Sequence, residues 1–257
     1  MGPIRTGIGG WVFPPWRGLF YPPGLRQADE LAFASRRLGV IEINATFQSF
    51  QTPMTFERWA RAAPEDFRFA VKAHRLCVNR KVLAGSEAAV ERFLGQGLVE
   101  LGDRLGPILW QFMPSKAFDA EDFGAFLDLL PRERDGRPLR HTVEVRHASF
   151  VDPRFYDLCR TRGVAICLLD HPAHPLIDED TADFTYARLI RGSDDIETGY
   201  PLDQLDAWAA RLRRLAADAA GAPREVFALF INAGKARAPA AAVALAERLG
   251  ATPDGRA

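Results

Sequence analysis

Val40-Ile41-Glu42-Ile43-Asn44 is a short apolar run that closes on polar residues, and Glu42 and Asn44 fall on one face because strand side chains alternate. The same reading recurs at Ile4 to Gly9, Arg68 to Lys72, Pro107 to Gln111, Thr142 to Arg146, Ala165 to Asp170, Phe184 to Arg188 and Glu225 to Asn232. From the second run on, the closing polar residue has the parity to point inward. Between the runs lie stretches with apolar residues at three-to-four spacing: Leu25 to Leu38, Phe56 to Ala62, Glu87 to Leu101, Phe118 to Leu130, Pro153 to Arg162, Leu202 to Ala219 and Ala240 to Leu249. Eight strands alternating with helices in 257 residues predict a single α/β domain, a (β/α)8 TIM-barrel-like fold over residues 1–250. Polar groups at the C-terminal ends of barrel strands gather on the face that carries function, so these closing residues define the candidate site.

Two segments depart from the pattern. His171-Pro172-Ala173-His174-Pro175 breaks any helix between Asp170 and Asp183, which predicts an irregular sixth crossover. Residues 251–257 have no apolar periodicity and are expected to fray. No linker or low-complexity segment divides the chain.

Lys+Arg and Asp+Glu both number 33, so there is no overall basic footprint, and nucleic acid is a less favoured partner. No run approaches the roughly 18 to 20 apolar residues that cross a bilayer. Cys77, Cys159 and Cys167 form no CxxC and leave an odd thiol over, which suits a reducing compartment and a cytoplasmic location. The opening Met1-Gly2-Pro3-Ile4-Arg5-Thr6 formally matches a myristoylation pattern, but Pro3 stiffens it and Ile4 already begins the first strand. It is read as the direct start of the fold, with no secretory signal.

A series of ordered motifs carries a resemblance. Gly7-Ile8-Gly9-Gly10-Trp11 is followed by Trp16-Arg17-Gly18-Leu19-Phe20-Tyr21-Pro22, then Glu42-Ile43-Asn44-Ala45-Thr46-Phe47, Phe67-Arg68-Phe69-Ala70-Val71-Lys72-Ala73 and Gln111-Phe112-Met113-Pro114-Ser115. Glu144-Val145-Arg146-His147-Ala148-Ser149-Phe150, Tyr186-Ala187-Arg188-Leu189 and Phe230-Ile231-Asn232 complete it. The chain thus resembles the YecE-like family, a domain-of-unknown-function group whose fold is TIM-barrel-like. The resemblance implies the scaffold and assigns no reaction. Ile8-Gly9, Gln48, Val78-Asn79 and the stretch from Asn232 to Ala241 depart from the family's usual residues in loops at the active face, which marks a divergent member.

Glu42 with Asn44, and Glu144 with Arg146, each share a face. Two carboxylates from different strands would serve as general acid and base, or would fill a polar layer as a buried ion-pair network. Glu144 is the stronger catalytic candidate, because Arg146 and His147 stand beside it. Lys72 is one of four lysines against twenty-nine arginines and closes its strand inward, as a Schiff-base or general-base amine or as a cation balancing Glu42 or Glu144. Arg146 and Arg188 are candidate anion clamps. Asn44, Gln111, Asp170 and Asn232 would orient substrate or satisfy the barrel mouth. Trp11, Trp16, Phe20 and Tyr21 would stack a ring or pack across the mouth. Arg191-Gly192-Ser193 and Gly234-Lys235-Ala236-Arg237 follow the seventh and eighth strands, where barrels often hold phosphate, and are read as solvated loops or as an anion site.

The five histidines, His74, His141, His147, His171 and His174, form no zinc signature. A divalent ion would have to be assembled from strand ends, drawing on Glu42, Glu144, His147, Asp170 and His171; no cofactor is evident. No Gly-rich dinucleotide fingerprint is present. The leading expectation is an enzyme acting on, or binding, a small phosphorylated or carboxylated molecule at the mouth. The alternatives are a metal-dependent phosphodiesterase or nucleic-acid-binding barrel of endonuclease-IV-like type, and a non-catalytic binding barrel.

Overall fold

The computed structural model describes residues 1–217, 219–231 and 234–250. Its central sheet is entirely parallel. The strands are β1 (Ile4–Gly9), β2 (Val40–Ile43), β3 (Arg68–Lys72), β4 (Leu105–Gln111), β5 (His141–Glu144), β6 (Ala165–Ile166), β7 (Leu168–Asp170), β8 (Phe184–Leu189) and β9 (Glu225–Phe230). They pair in the order β6-β5-β4-β3-β2-β1-β9-β8-β7. The ends of that order are the two halves of the expected sixth run. Its first half pairs with β5, its second half pairs with β8, and Cys167 between them donates its N–H to the Val143 carbonyl at 2.9 Å. Nine segments therefore occupy the eight expected positions of a nearly closed TIM-barrel-like ring.

The outer layer is built from α1 (Glu30–Arg37), α2 (Pro53–Ala62), α3 (Glu87–Leu94), α4 (Ala120–Asp128), α5 (Pro153–Arg162), α6 (Leu202–Leu215) and α7 (Ala238–Arg248). Local chemistry starts several of them. Thr52, Asp119 and Asp152 each accept a backbone N–H from the first turn, and proline follows Thr52 and Asp152 where its missing donor is harmless. Gly163 ends α5 at φ 65°, a left-handed position that suits glycine. A two-stranded hairpin, Glu133–Arg134 with Arg137–Pro138, precedes β5. Between Asp170 and Phe184 the described chain forms no helix, as the two His-Pro steps require. No described helix is long and apolar enough to cross a membrane. All three cysteines are free and buried.

The barrel interior is layered. At its N-terminal end Arg5 and Arg140 both pair with Glu225, the second at 2.6 Å. An apolar layer that includes Val40, Ala70, Leu109, Leu169, Phe227 and Leu229 lies above it. The C-terminal layer is charged again, and it forms the floor of the mouth.

Several boundaries differ from the sequence reading. β4 begins at Leu105, with Gly106 packed against the Phe69 carbonyl and the register shifting between Phe69 and Val71, so Pro107 sits where the ladder is already irregular. β2 stops at Ile43, because Asn44 turns into helical φ/ψ and starts the single turn Ala45–Gln48. The expected frayed tail, residues 251–257, lies outside the described residues.

Candidate functional site

Four strands deliver charge to one layer, and β4 adds the neutral Gln111. Glu42 and Glu144 are fully buried, and Arg188 is 1 % exposed between them. Arg188 donates Nε to Glu42 Oε2 and Nη2 to Glu42 Oε1, both at 3.1 Å, and Nη1 to Glu144 Oε2. The Tyr186 hydroxyl donates to Glu42 Oε2 at 2.8 Å. Glu144 Oε1 accepts Arg146 Nε at 2.6 Å and Gln111 Nε2 at 2.9 Å. Every carboxylate oxygen of the pair is thereby engaged, as burial of two anions demands. Burial alone would raise the Glu144 carboxyl, but Arg188 and Arg146 more than offset it and hold it below its ordinary value. A depressed carboxylate is a poor general acid at neutral pH, so the geometry fits an ionic scaffold better than an acid–base pair.

Arg188 was expected to clamp a ligand anion. Two internal carboxylates already take it, and Glu144 pairs with both Arg188 and Arg146. Arg146 differs: its side chain is 20 % exposed, and only Nε is engaged among the described residues. Lys72 is half-buried at the end of β3, with Nζ 4.1 Å from the Phe47 ring centre. No described carboxylate lies within 4 Å of it. Burial lowers its ammonium below the usual lysine value; Glu42 and Glu144 oppose that shift, and Arg188 and Arg146 add to it.

A cleft of about 250 Å³ also opens at this end, lined by Gly9, Gly10, Trp11, Val12, Asn44, Ala45 and Lys235. Asn44 and Trp11 therefore border the mouth. Gly9 lacks a side chain for a reason, since a Cβ there would sit 2.8 Å from Ile231 Cδ1 and 3.0 Å from Asn44 Nδ2. Trp16 and Tyr21 are 1 % exposed and pack edge-on with Phe20 and Phe33, so they belong to the core. A larger cleft of about 540 Å³, with Arg140, His141 and Phe184 in its wall, lies near the opposite end of the barrel.

Asp170 is misplaced by the sequence reading. Its register partner is Leu189 rather than Arg188, so it points out of the barrel, where it pairs with Arg191 at 2.6 Å and accepts from Trp208 Nε1 at 3.3 Å. His147 caps its own turn, with Nδ1 accepting the Ser149 N–H at 3.2 Å. Of the five residues considered for a metal, Glu42 and Glu144 are both taken up by Arg188, and no group of three His, Cys, Asp or Glu side chains among the described residues is placed to hold an ion. The loops after the seventh and eighth strand positions close on each other. Gly234, at φ 64°, sits against the Ser193 backbone, and the Arg237 N–H goes to Asp194 Oδ1 at 3.2 Å. Asn232 lies outside the described residues. Sequence reasoning missed Tyr186 and Phe47 as site residues, although Tyr186 shares the parity of Arg188.

Comparison with known proteins agrees with this architecture. A DUF72 family protein from Thermotoga maritima MSB8 superposes with a TM-score of 0.77 at 21 % identity, covering 96 % of this chain and 99 % of that one. A DUF72 family protein from Enterococcus faecalis V583 gives 0.74 at 17 % identity, covering 96 % and 95 %. The UPF0759 protein YunF of Bacillus subtilis (strain 168) is 25 % identical over 159 residues, 60 % of this chain and 54 % of that protein, so the chain spans about half the length of this curated relative. The model of the protein of unknown function DUF72 matches residues 5–256, and the chain belongs to that family.

Proposed function

We propose that the protein binds a small anionic molecule, bearing a carboxylate or phosphate, over Arg146, Lys72 and Gln111 at the C-terminal mouth of the barrel. The observation that carries this reading is the charge of the floor. Glu42 and Glu144 balance Arg188 and Arg146, and Lys72 stands over them as a further cation with no carboxylate within 4 Å among the described residues. An ammonium held among fixed guanidinium groups in a poorly hydrated site gains from an incoming anion, and the unengaged Nη groups of Arg146 offer it a planar fork. Glu42 and Glu144 hold Arg188 and Arg146 in place. The cleft beside Trp11 and Asn44 gives the remainder of a small ligand room.

The test is thermal unfolding in phosphate and sulfate against chloride at matched ionic strength. Both oxyanions are expected to raise Tm, and Arg146→Gln is expected to lose most of the gain while Arg132→Gln, remote from the mouth, keeps it. Equal gains in wild type and Arg146→Gln would remove the mouth as the binding site.

A further inference from the structure

We propose that Lys72 is the reacting amine of this mouth, forming an imine with the carbonyl carbon of a small 2-oxo acid or carboxylate-bearing aldehyde. This deepens the anion-binding reading and rests on it. Four features of the geometry support it.

Among the described residues Lys72 Nζ makes no hydrogen bond and has no carboxylate within 4 Å, so its lone pair, once deprotonated, is not claimed by a neighbour. Its strand end is fixed, because the Thr46 hydroxyl donates to the Lys72 carbonyl at 2.7 Å. The amine rests 4.1 Å from the Phe47 ring centre, which restricts where Nζ can point. The carboxylates whose charge reaches it, Glu42 and Glu144, are already bonded to Arg188, Tyr186, Arg146 and Gln111, while the Arg188 and Arg146 charges disfavour its ammonium form. A desolvated amine among cations gives up its proton more readily than an ordinary lysine, which enlarges the share of nucleophilic amine.

The step balances without a co-reactant. The Nζ lone pair attacks the carbonyl carbon, the carbon–oxygen π pair moves to oxygen, and the two N–H protons leave with that oxygen as water, giving a C=N bond. The substrate carboxylate would lie on the free Nη groups of Arg146. Of the other lysines, Lys116 is paired with Asp122 at 2.7 Å, Lys81 is exposed, and Lys235 Nζ lies 4.3 Å from the Phe13 ring centre. Lys81 and Lys116 serve as internal controls, whereas Lys235 lines the cleft beside the mouth.

The experiment treats the full chain with glyoxylate or pyruvate in the presence of cyanoborohydride, which reduces an imine to a stable secondary amine, and maps the adduct by peptide mass. Saturable labelling at Lys72, slowed by phosphate and lost in folded Lys72→Arg, is expected; Lys72→Met replaces that variant should arginine disturb the fold. Absence of a Lys72 adduct, or labelling of Lys81 and Lys116 equal to that of Lys72, overturns the proposal. If phosphate still raises Tm in that case, the anion reading survives and the imine alone falls. If instead acetaldehyde labels Lys72 as fast as glyoxylate and no oxyanion stabilises the protein, the oxo-acid assignment and the anion reading fall together.

Discussion

Arg188 holds Glu42 by two parallel hydrogen bonds of 3.1 Å across the barrel, although β9 and β1 lie between their strands. Its third bond, to Glu144 on β5, ties the far wall to the same guanidinium. One side chain thus bonds two buried anions, and Arg146 supplies the second positive charge. Replacing it by methionine keeps most of the volume and strands both carboxylates, and removing one member of a buried ion network typically costs about 3–5 kcal/mol. Urea unfolding of Arg188→Met should show a loss of that order. Arg188→Lys should recover only part of it, because an ammonium cannot fork across Glu42. A loss in Arg188→Met below about 1 kcal/mol would mean that the carboxylates find water or protons instead.

His141 gives a pH dependence of defined sign. It is almost wholly buried, with Trp110 Nε1 donating to Nδ1 at 3.1 Å and Nε2 2.7 Å from the Pro131 carbonyl. Burial lowers it from 6.5 to about 4, partly opposed by that carbonyl. Between those values the unfolded chain takes up a proton that the folded protein refuses, so stability falls as pH drops through the window. The contribution amounts to about 3 kcal/mol at the acid end. His141→Gln should be less stable at pH 7 yet lack this slope between pH 6.5 and 4. A parallel slope in wild type and variant would show that His141 is protonated in the fold.

The barrel was legible because its strands alternate with amphipathic helices and close on inward polar residues; Glu42, Lys72, Gln111, Glu144, Arg146 and Arg188 were all identified that way. Asp170 failed for a physical reason. Ala165 to Leu169 is apolar on both faces, since the barrel core lies on one side and the helix layer on the other, so alternation carries no sign there. Only pairing of Leu169 with Arg188 sets it, and that is a tertiary fact. The same limit applies to charge partners. Parity puts Glu42, Glu144, Arg146 and Arg188 on one side, but not that Arg188 reaches both carboxylates and leaves Arg146 the more open cation. Tyr186 was hidden inside an apolar run, where a phenol reads as core until its hydroxyl finds Glu42.

The two inward glycines of β1 should respond differently to a methyl group. At Gly7 a Cβ would fall onto the Val40 carbonyl oxygen of the paired strand, and neither backbone can give without opening β1 from β2. At Gly9 the obstacles are the ends of Ile231 and Asn44, which can rotate. Gly7→Ala is expected at or above the upper end of the range of about 1–3 kcal/mol for overpacking, and Gly9→Ala near the lower end. Gly9→Ala should also weaken oxyanion stabilisation by displacing Asn44 at the mouth. Equal losses in urea unfolding would contradict the contrast between backbone and side-chain obstruction.

Lys72→Met tests the amine through stability, independently of any ligand. Burial lowers the Lys72 ammonium in the fold, with Glu42 opposing, Arg188 adding, Glu144 opposing and Arg146 adding, while the unfolded chain keeps the ordinary value near 10.5. Between the two values the unfolded state holds a proton that the folded state has released, so this lysine makes stability rise with pH in that window. Buried Tyr186, Tyr21 and Tyr200 act oppositely, because burial raises each hydroxyl and the unfolded chain ionises first near pH 10. The raw curve mixes these signs, whereas the difference between wild type and Lys72→Met cancels the tyrosines. That difference should favour methionine most at pH below both values, where the fold holds a desolvated ammonium, and should move toward wild type as pH climbs to 10.5. A pH-independent difference in urea unfolding would mean that Lys72 keeps its proton through the whole range, which would also remove the basis for treating it as a nucleophile.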